Sequence, residues 1–111
     1  MAGILKRLAG PAYLSNAAAN IYTPAASTIY TVIRHIHLVN VTTGPVTLSL
    51  YIGATGGSTG GTELFKDLSI PAKTPYDYFC ATKMTSTDFL TGLASAASSI
   101  VITVEGEQVV V

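Results

Sequence analysis

Residues 46–52 alternate without a break: Val46, Leu48, Leu50 and Ile52 are apolar, and Thr47, Ser49 and Tyr51 stand between them. A period of two marks a strand with one face in a core and the other toward solvent. β-type signals recur along the chain. Residues 28–42 form the longest run, dense in Ile, Val, Tyr and Thr, the residues that pack best on a pleated surface. Residues 63–70 read as a strand with Leu64 and Ile70 inward, and residues 76–82 alternate Tyr76, Tyr78 and Cys80 with their neighbours. Residues 85–95 read as a turn into a short strand, with Asp88 placed to bond nearby backbone. Residues 99–111 put Ile100, Ile102 and Val104 on one face, with EGE at 105–107 as a tight turn or bulge. Residues 12–23 are a weaker, Ala- and Asn-rich run closed by Pro24.

Turn chemistry separates these runs. TTGP occupies 42–45, PAKTP corners at 71–75, and GATGGSTGGT at 53–62 holds five glycines in ten residues, a mobile loop or hairpin tip. Seven or eight short strands at ~10-residue spacing predict an all-β chain, an antiparallel β-sandwich of jelly-roll type. The Thr/Ser density and Gly92 oppose a helix over 81–98.

The first eleven residues read differently. Ile4, Leu5 and Leu8 have helix-like spacing, Lys6 and Arg7 sit between them, and Gly10-Pro11 follows as a breaker. The expected organisation is a short N-terminal arm at 1–11 and a β-sandwich domain at 12–111. A helix this short is marginal alone in water, so the arm must lie against its own domain or a partner, and docking to a partner is the preferred reading.

Charge narrows the function classes. The 111 residues carry six basic and six acidic side chains, 11% charged against 49% hydrophobic. No basic field is available to neutralise phosphates, so nucleic acid is not an expected partner. A weakly charged surface of Thr, Ser, Ala and Gly is poorly protected against association, which suits a protein working within an assembly. No apolar run approaches the ~18 residues of a membrane span. The first residues lack the apolar core of a signal peptide, so the chain is expected to be made in the cytoplasm and to reach no membrane. Cys80 is the single cysteine, which rules out an internal disulfide or CxxC motif and reads as a small half-buried side chain.

Both histidines lie in IRHIHLVNV at 33–41. Val32, Ile36 and Leu38 are expected to face the core with Asn40 at the end, Arg34 interrupting that face. His35 and His37 then share the other face, with Ile33 and Val39 beside them. A metal centre needs three or more ligands held by outer bonds. With no third histidine and six scattered carboxylates, no metal, cofactor or catalytic residue is assigned. The glycine loop lacks a P-loop lysine, TGLAS is not a nucleophile elbow, and no carboxylate pair offers acid–base chemistry. A carbohydrate-binding module, with Tyr51, Tyr76 and Tyr78 as a stacking platform, is an alternative that lacks tryptophan.

In order along the chain, AANIYTPA (18–25), VIRHIHLVNVT (32–42), VTLSLYIG (46–53), LSIPAKTPYDYF (68–79), DFLTGLASA (88–96) and IVITVEGEQV (100–109) resemble pieces of small all-β virion proteins of tailed bacteriophages. The resemblance spans about residues 14–110 and carries no catalytic signature. It implies a structural, non-enzymatic role. The first reading is a capsid decoration (cement) protein on the major capsid protein, in a virion assembled in the bacterial cytoplasm; the alternative is a tail or head–tail connector accessory. A homo-oligomer is expected, a trimer first, since closed symmetry reuses one surface. The candidate docking residues are Ile4, Leu5, Lys6, Arg7 and Leu8, within a specific contact that ordinarily buries ~1,600 Å².

Overall fold

The structure is a computed structural model that describes residues 3–54, 57 and 60–110. The local alternation is realised as strands: β1 (Ile4–Tyr13), β2 (Ala19–Tyr22), β3 (Thr28–Asn40), β4 (Val46–Gly53), β5 (Glu63–Ile70), β6 (Pro75–Thr85), β7 (Phe89–Ala94) and β8 (Ile100–Val110). Antiparallel pairing joins β1 to β8, β2 to β7, β3 to β6 and β4 to β5. The chain is thus a doubled ribbon whose turning point is the glycine-rich β4–β5 connection; residues 55, 56, 58 and 59 of that connection lie outside the described residues. Wrapping the ribbon brings β8 beside β3 and β7 beside β4. The result is two four-stranded sheets, ordered β1-β8-β3-β6 and β2-β7-β4-β5. This is the jelly-roll solution, in which two sheets cover each other's apolar faces.

The core lies between the sheets. Ile33, Ile36, Leu38, Met84, Ile102 and Val104 of the first sheet meet Leu48, Leu50, Ile70, Leu90 and Ala94 of the second. Asn40, fully buried, anchors one end. Its Nδ2 donates to the carbonyls of Gly44 and Ile70, each at 2.9 Å, while Oδ1 accepts from the Thr42 amide (2.9 Å) and hydroxyl (2.7 Å). A buried amide with both ends partnered fixes the β3–β4 turn against the end of β5.

One line of irregularity crosses the first sheet and changes the expected facing of β3. From Ile33 to His35, β3 advances two residues while β8 advances one, from Gly106 to Glu105. On the far side of β8, β1 advances from Arg7 to Ala9 while β8 moves only from Glu105 to Val104. Leu8 and Arg34 are therefore extra residues on either side of the same point. Because side chains alternate, one extra residue exchanges the two faces. Thr31 and Ile33 point inward before the bulge and Ile36, Leu38 and Asn40 after it. Ile33 therefore takes the core position expected for Val32, and Arg34 is exposed rather than interrupting the core face. Gly106 permits the close approach: a Cβ there would strike the Val32 carbonyl oxygen and lie 3.0 Å from Leu8 Cδ1. EGE at 105–107 stays within β8, with the irregularity carried by its neighbours.

The N-terminal segment is a strand rather than the expected helix. Ile4 pairs with Gln108, Leu5 with Glu107 and Arg7 with Glu105, and pairing with the long β8 satisfies the backbone that an isolated single-turn helix would leave open. The expected boundary after residue 11 falls inside β1. Gly10-Pro11 does not end the element; it sits in a second register shift between Ala9 and Ala12, where Gly10 adopts φ +75° against the Ile102 carbonyl.

Candidate functional site

The outer face of the first sheet gathers the chain's histidines and half of its six carboxylates, Asp77, Glu105 and Glu107. The register produces this gathering. His35 and His37 share a face of β3 by their spacing of two. In the β3–β6 ladder His37 stands opposite Asp77, and in the β3–β8 ladder His35 stands opposite Glu105. Opposed residues in an antiparallel pair project to the same side, so acid from both neighbouring strands flanks the histidines.

The contacts are direct. His35 Nε2 lies 2.8 Å from Asp77 Oδ1, and His37 Nδ1 lies 2.5 Å from the same oxygen. His35 Nδ1 lies 3.2 Å from Glu105 Oε1. The exposed Phe79, opposite His35 on β6, stacks on its ring with centroids 4.4 Å apart and planes 5° from parallel. Arg34, turned outward by the bulge, closes the group: its Nε donates to Glu107 Oε2 at 2.7 Å.

Both nitrogens of His35 face carboxylate oxygens, which only accept hydrogen bonds. The doubly protonated, cationic ring satisfies both. Burial acts to lower the His35 pKa, but hydrogen bonds and charge from Asp77 and Glu105 outweigh it and raise the value above the ordinary 6.5. The Asp77 carboxyl is held below its ordinary range, by the hydrogen bond from His37 first and that from His35 second. One ring nitrogen from each of His35 and His37 and an Asp77 oxygen form a group of metal-ligand type within 4.8 Å of one another. Asp77 is the carboxylate that sequence reading did not place beside the two histidines. The only signal for it was its position in a strand; its partner strand was not readable.

The expected docking residues sit on β1, an edge of the first sheet with β8 on one side. Leu5 is 73% exposed and Ile4 60%, although they point to opposite faces, so neither face of this strand end is covered. Lys6 and Arg7 are exposed as well, with Lys6 Nζ donating to Gln108 Oε1 at 3.2 Å. Leu8 separates from the group: at the bulge it turns in and packs against the core. The apolar area open to a partner comes from Ile4 and Leu5.

Tyr51, Tyr76 and Tyr78 do not form a platform. Tyr51 is buried in β4 of the second sheet. Tyr76 and Tyr78, on β6 of the first, are both met edge-on by Phe65 of β5, with ring centroids 6.1 and 4.8 Å away. Cys80 packs partly against the core, with its thiol donating to the Ile33 carbonyl at 3.2 Å. No helix among the described residues is long and apolar enough to cross a membrane.

No family model matches the chain, and no curated protein matches it significantly. Among solved structures it is similar to a chain from Bacillus endospore appendages, described as a novel family of disulfide-linked pili. The TM-score is 0.53 at 18% identity, covering 98% of this chain and 88% of that one. The likeness is one of fold, and it extends over both sheets and β1.

Proposed function

We propose that this protein is a non-enzymatic structural subunit that acts by adhesion, docking through the β1 edge onto a neighbouring copy or a shell protein. The observation that carries this reading is β1 itself. An edge strand offers unpaired backbone groups to another chain, and natural proteins usually blunt such edges. Here the exposed end bears Ile4 and Leu5 beside Lys6 and Arg7. Apolar area supplies the affinity, while the two cations suit an acidic surface. The finer reading is a decoration protein of a tailed-bacteriophage head, binding the major capsid protein as a closed homo-oligomer, with a trimer first. The ordered sequence resemblance to virion proteins supports it.

A second reading, self-assembly into a fibre, is favoured by the fold likeness to an appendage protein. Covalent linkage through Cys80 fits poorly, because the single thiol is turned toward the core. A fibre of this chain would rest on non-covalent edge contacts.

Mass spectrometry and electron microscopy of phage particles induced from the encoding bacterium test the first reading. The expected result is the protein on the shell in fixed ratio to the capsid protein. Filaments formed by the purified protein would favour the second. A monomer found in neither setting refutes adhesion as the role.

A further inference from the structure

We propose that His35, His37 and Asp77 form a binding site for a single divalent transition-metal ion, with zinc the best match, on the outer face of the first sheet. The inference is independent of the adhesive role. It starts from the donor set: two imidazole nitrogens and one carboxylate oxygen, a combination that zinc takes with a fourth position left to water. Zinc bonds of ~2.1 Å in a tetrahedron separate donors by ~3.4 Å. His35 Nε2 and His37 Nδ1 lie 2.8 and 2.5 Å from Asp77 Oδ1, and one ring nitrogen from each histidine and an Asp77 oxygen fall within 4.8 Å of one another. To reach that spacing the two histidine nitrogens each move somewhat less than ~1 Å further from Asp77 Oδ1, and the imidazole nitrogens, no more than 4.8 Å apart, draw together by about an ångström. The side chains have room to make them: Asp77 is 42% and His37 37% exposed.

The surroundings of His35 are those of a held ligand. Metal-bound histidine characteristically donates its other ring N–H to a carboxylate, which fixes tautomer and ring orientation. Glu105 Oε1 lies 3.2 Å from His35 Nδ1, on the side away from Asp77. That bond places the proton on Nδ1 and leaves Nε2 to face the ion. Phe79, stacked at 4.4 Å, fixes the plane of the same ring. Glu105 is thus a positioning residue. Its place opposite His35 is set by the β3–β8 register, and that of Asp77 opposite His37 by the β3–β6 register. A bound ion would bridge β3 to β6 at the sheet surface. On binding, the proton on His35 Nε2 passes to solvent, and His37 turns an unprotonated Nδ1 to the ion as the neutral ring whose N–H is on Nε2.

The test is a zinc chloride titration of the untagged full chain against a chromophoric chelator, with unfolding followed in EDTA. One zinc per chain is expected. His37→Ala and Asp77→Asn should each weaken binding at least tenfold. Glu105→Gln should weaken it by ~10- to 100-fold while leaving the metal-free melting temperature within a degree or two. Cys80→Ser should leave affinity unchanged. Cobalt(II) added to the unmodified protein should shift the imidazole resonances of both histidines, a readout independent of whether any variant folds. The proposal is overturned by absence of saturable binding, by unchanged affinity in both His37→Ala and Asp77→Asn, by loss confined to Cys80→Ser, or by imidazole resonances that cobalt leaves untouched.

Discussion

Replacing Ile4 and Leu5 together with alanine separates adhesion from folding. Complete burial of a large aliphatic side chain is worth ~1.5–3 kcal/mol. Leu5 still exposes 73% of its area and Ile4 60%, so most of that gain remains available to a partner. Allowing for the methyl groups alanine retains, the pair contributes about 2–3 kcal/mol to docking. At 1.4 kcal/mol per decade, the double variant should bind ~30- to 150-fold more weakly. The cost to folding is smaller, because only the covered fraction counts: at most about 1–2 kcal/mol. Both lie at the start of an edge strand, away from the core cluster. Sedimentation velocity over a concentration series measures self-association, co-sedimentation with particles measures shell binding, and urea unfolding gives stability. A variant that associates as tightly as the parent, at unchanged stability, would remove β1 as the docking edge. Point variants are preferable to deleting residues 1–11, since deletion would strip β8 of its partner along Val104–Gln108.

Three further perturbations probe the framework. Asn40→Leu leaves the buried Ile70 carbonyl and the part-buried Thr42 amide without their side-chain partner, while the Gly44 carbonyl keeps the Thr42 hydroxyl; at about 1–3 kcal/mol per orphaned buried group, the variant should lose at least about that much in chemical denaturation, and a loss near zero would contradict the anchoring role. Gly106→Ala drives a Cβ into the Val32 carbonyl from a strand held on both sides; the cost should sit at or above the upper end of the ~1–3 kcal/mol typical of overpacking, and a neutral melting shift would argue against the bulge. In metal-free buffer, His35 has a folded pKa above its ordinary 6.5, so its contribution is complete below that value and fades as pH rises through the raised one. Asp77 is depressed, so its contribution is complete above its ordinary 3.8 and fades only as pH falls through the lowered value. Stability from the cluster should therefore peak between about pH 4 and 6.5, and His35→Gln should flatten the decline on the alkaline side; an unchanged decline would place its origin elsewhere.

What neighbouring residues decide was legible along the chain. The alternation at 46–52 became β4, the run at 63–70 became β5, and Ile100, Ile102 and Val104 became one inward row of β8. Period, turn chemistry and β propensity are properties of residues a few positions apart, and they suffice for an all-β reading of seven or eight strands. The outcome at Ile4–Tyr13 depended on more: an apolar, cationic stretch with helix-like spacing is drawn into a strand because β8 offers it a full ladder. The facing of β3 also turned on a partner, since the extra residue at Arg34 exists only relative to β8. The histidine cluster shows the limit most clearly. His35 and His37 announced themselves by their spacing, but Asp77 and Glu105 are 42 and 70 residues from His35. Register between distant strands is set by the summed fit of whole faces and by single bulges that exchange them, so it was tertiary structure that brought these carboxylates to the imidazoles.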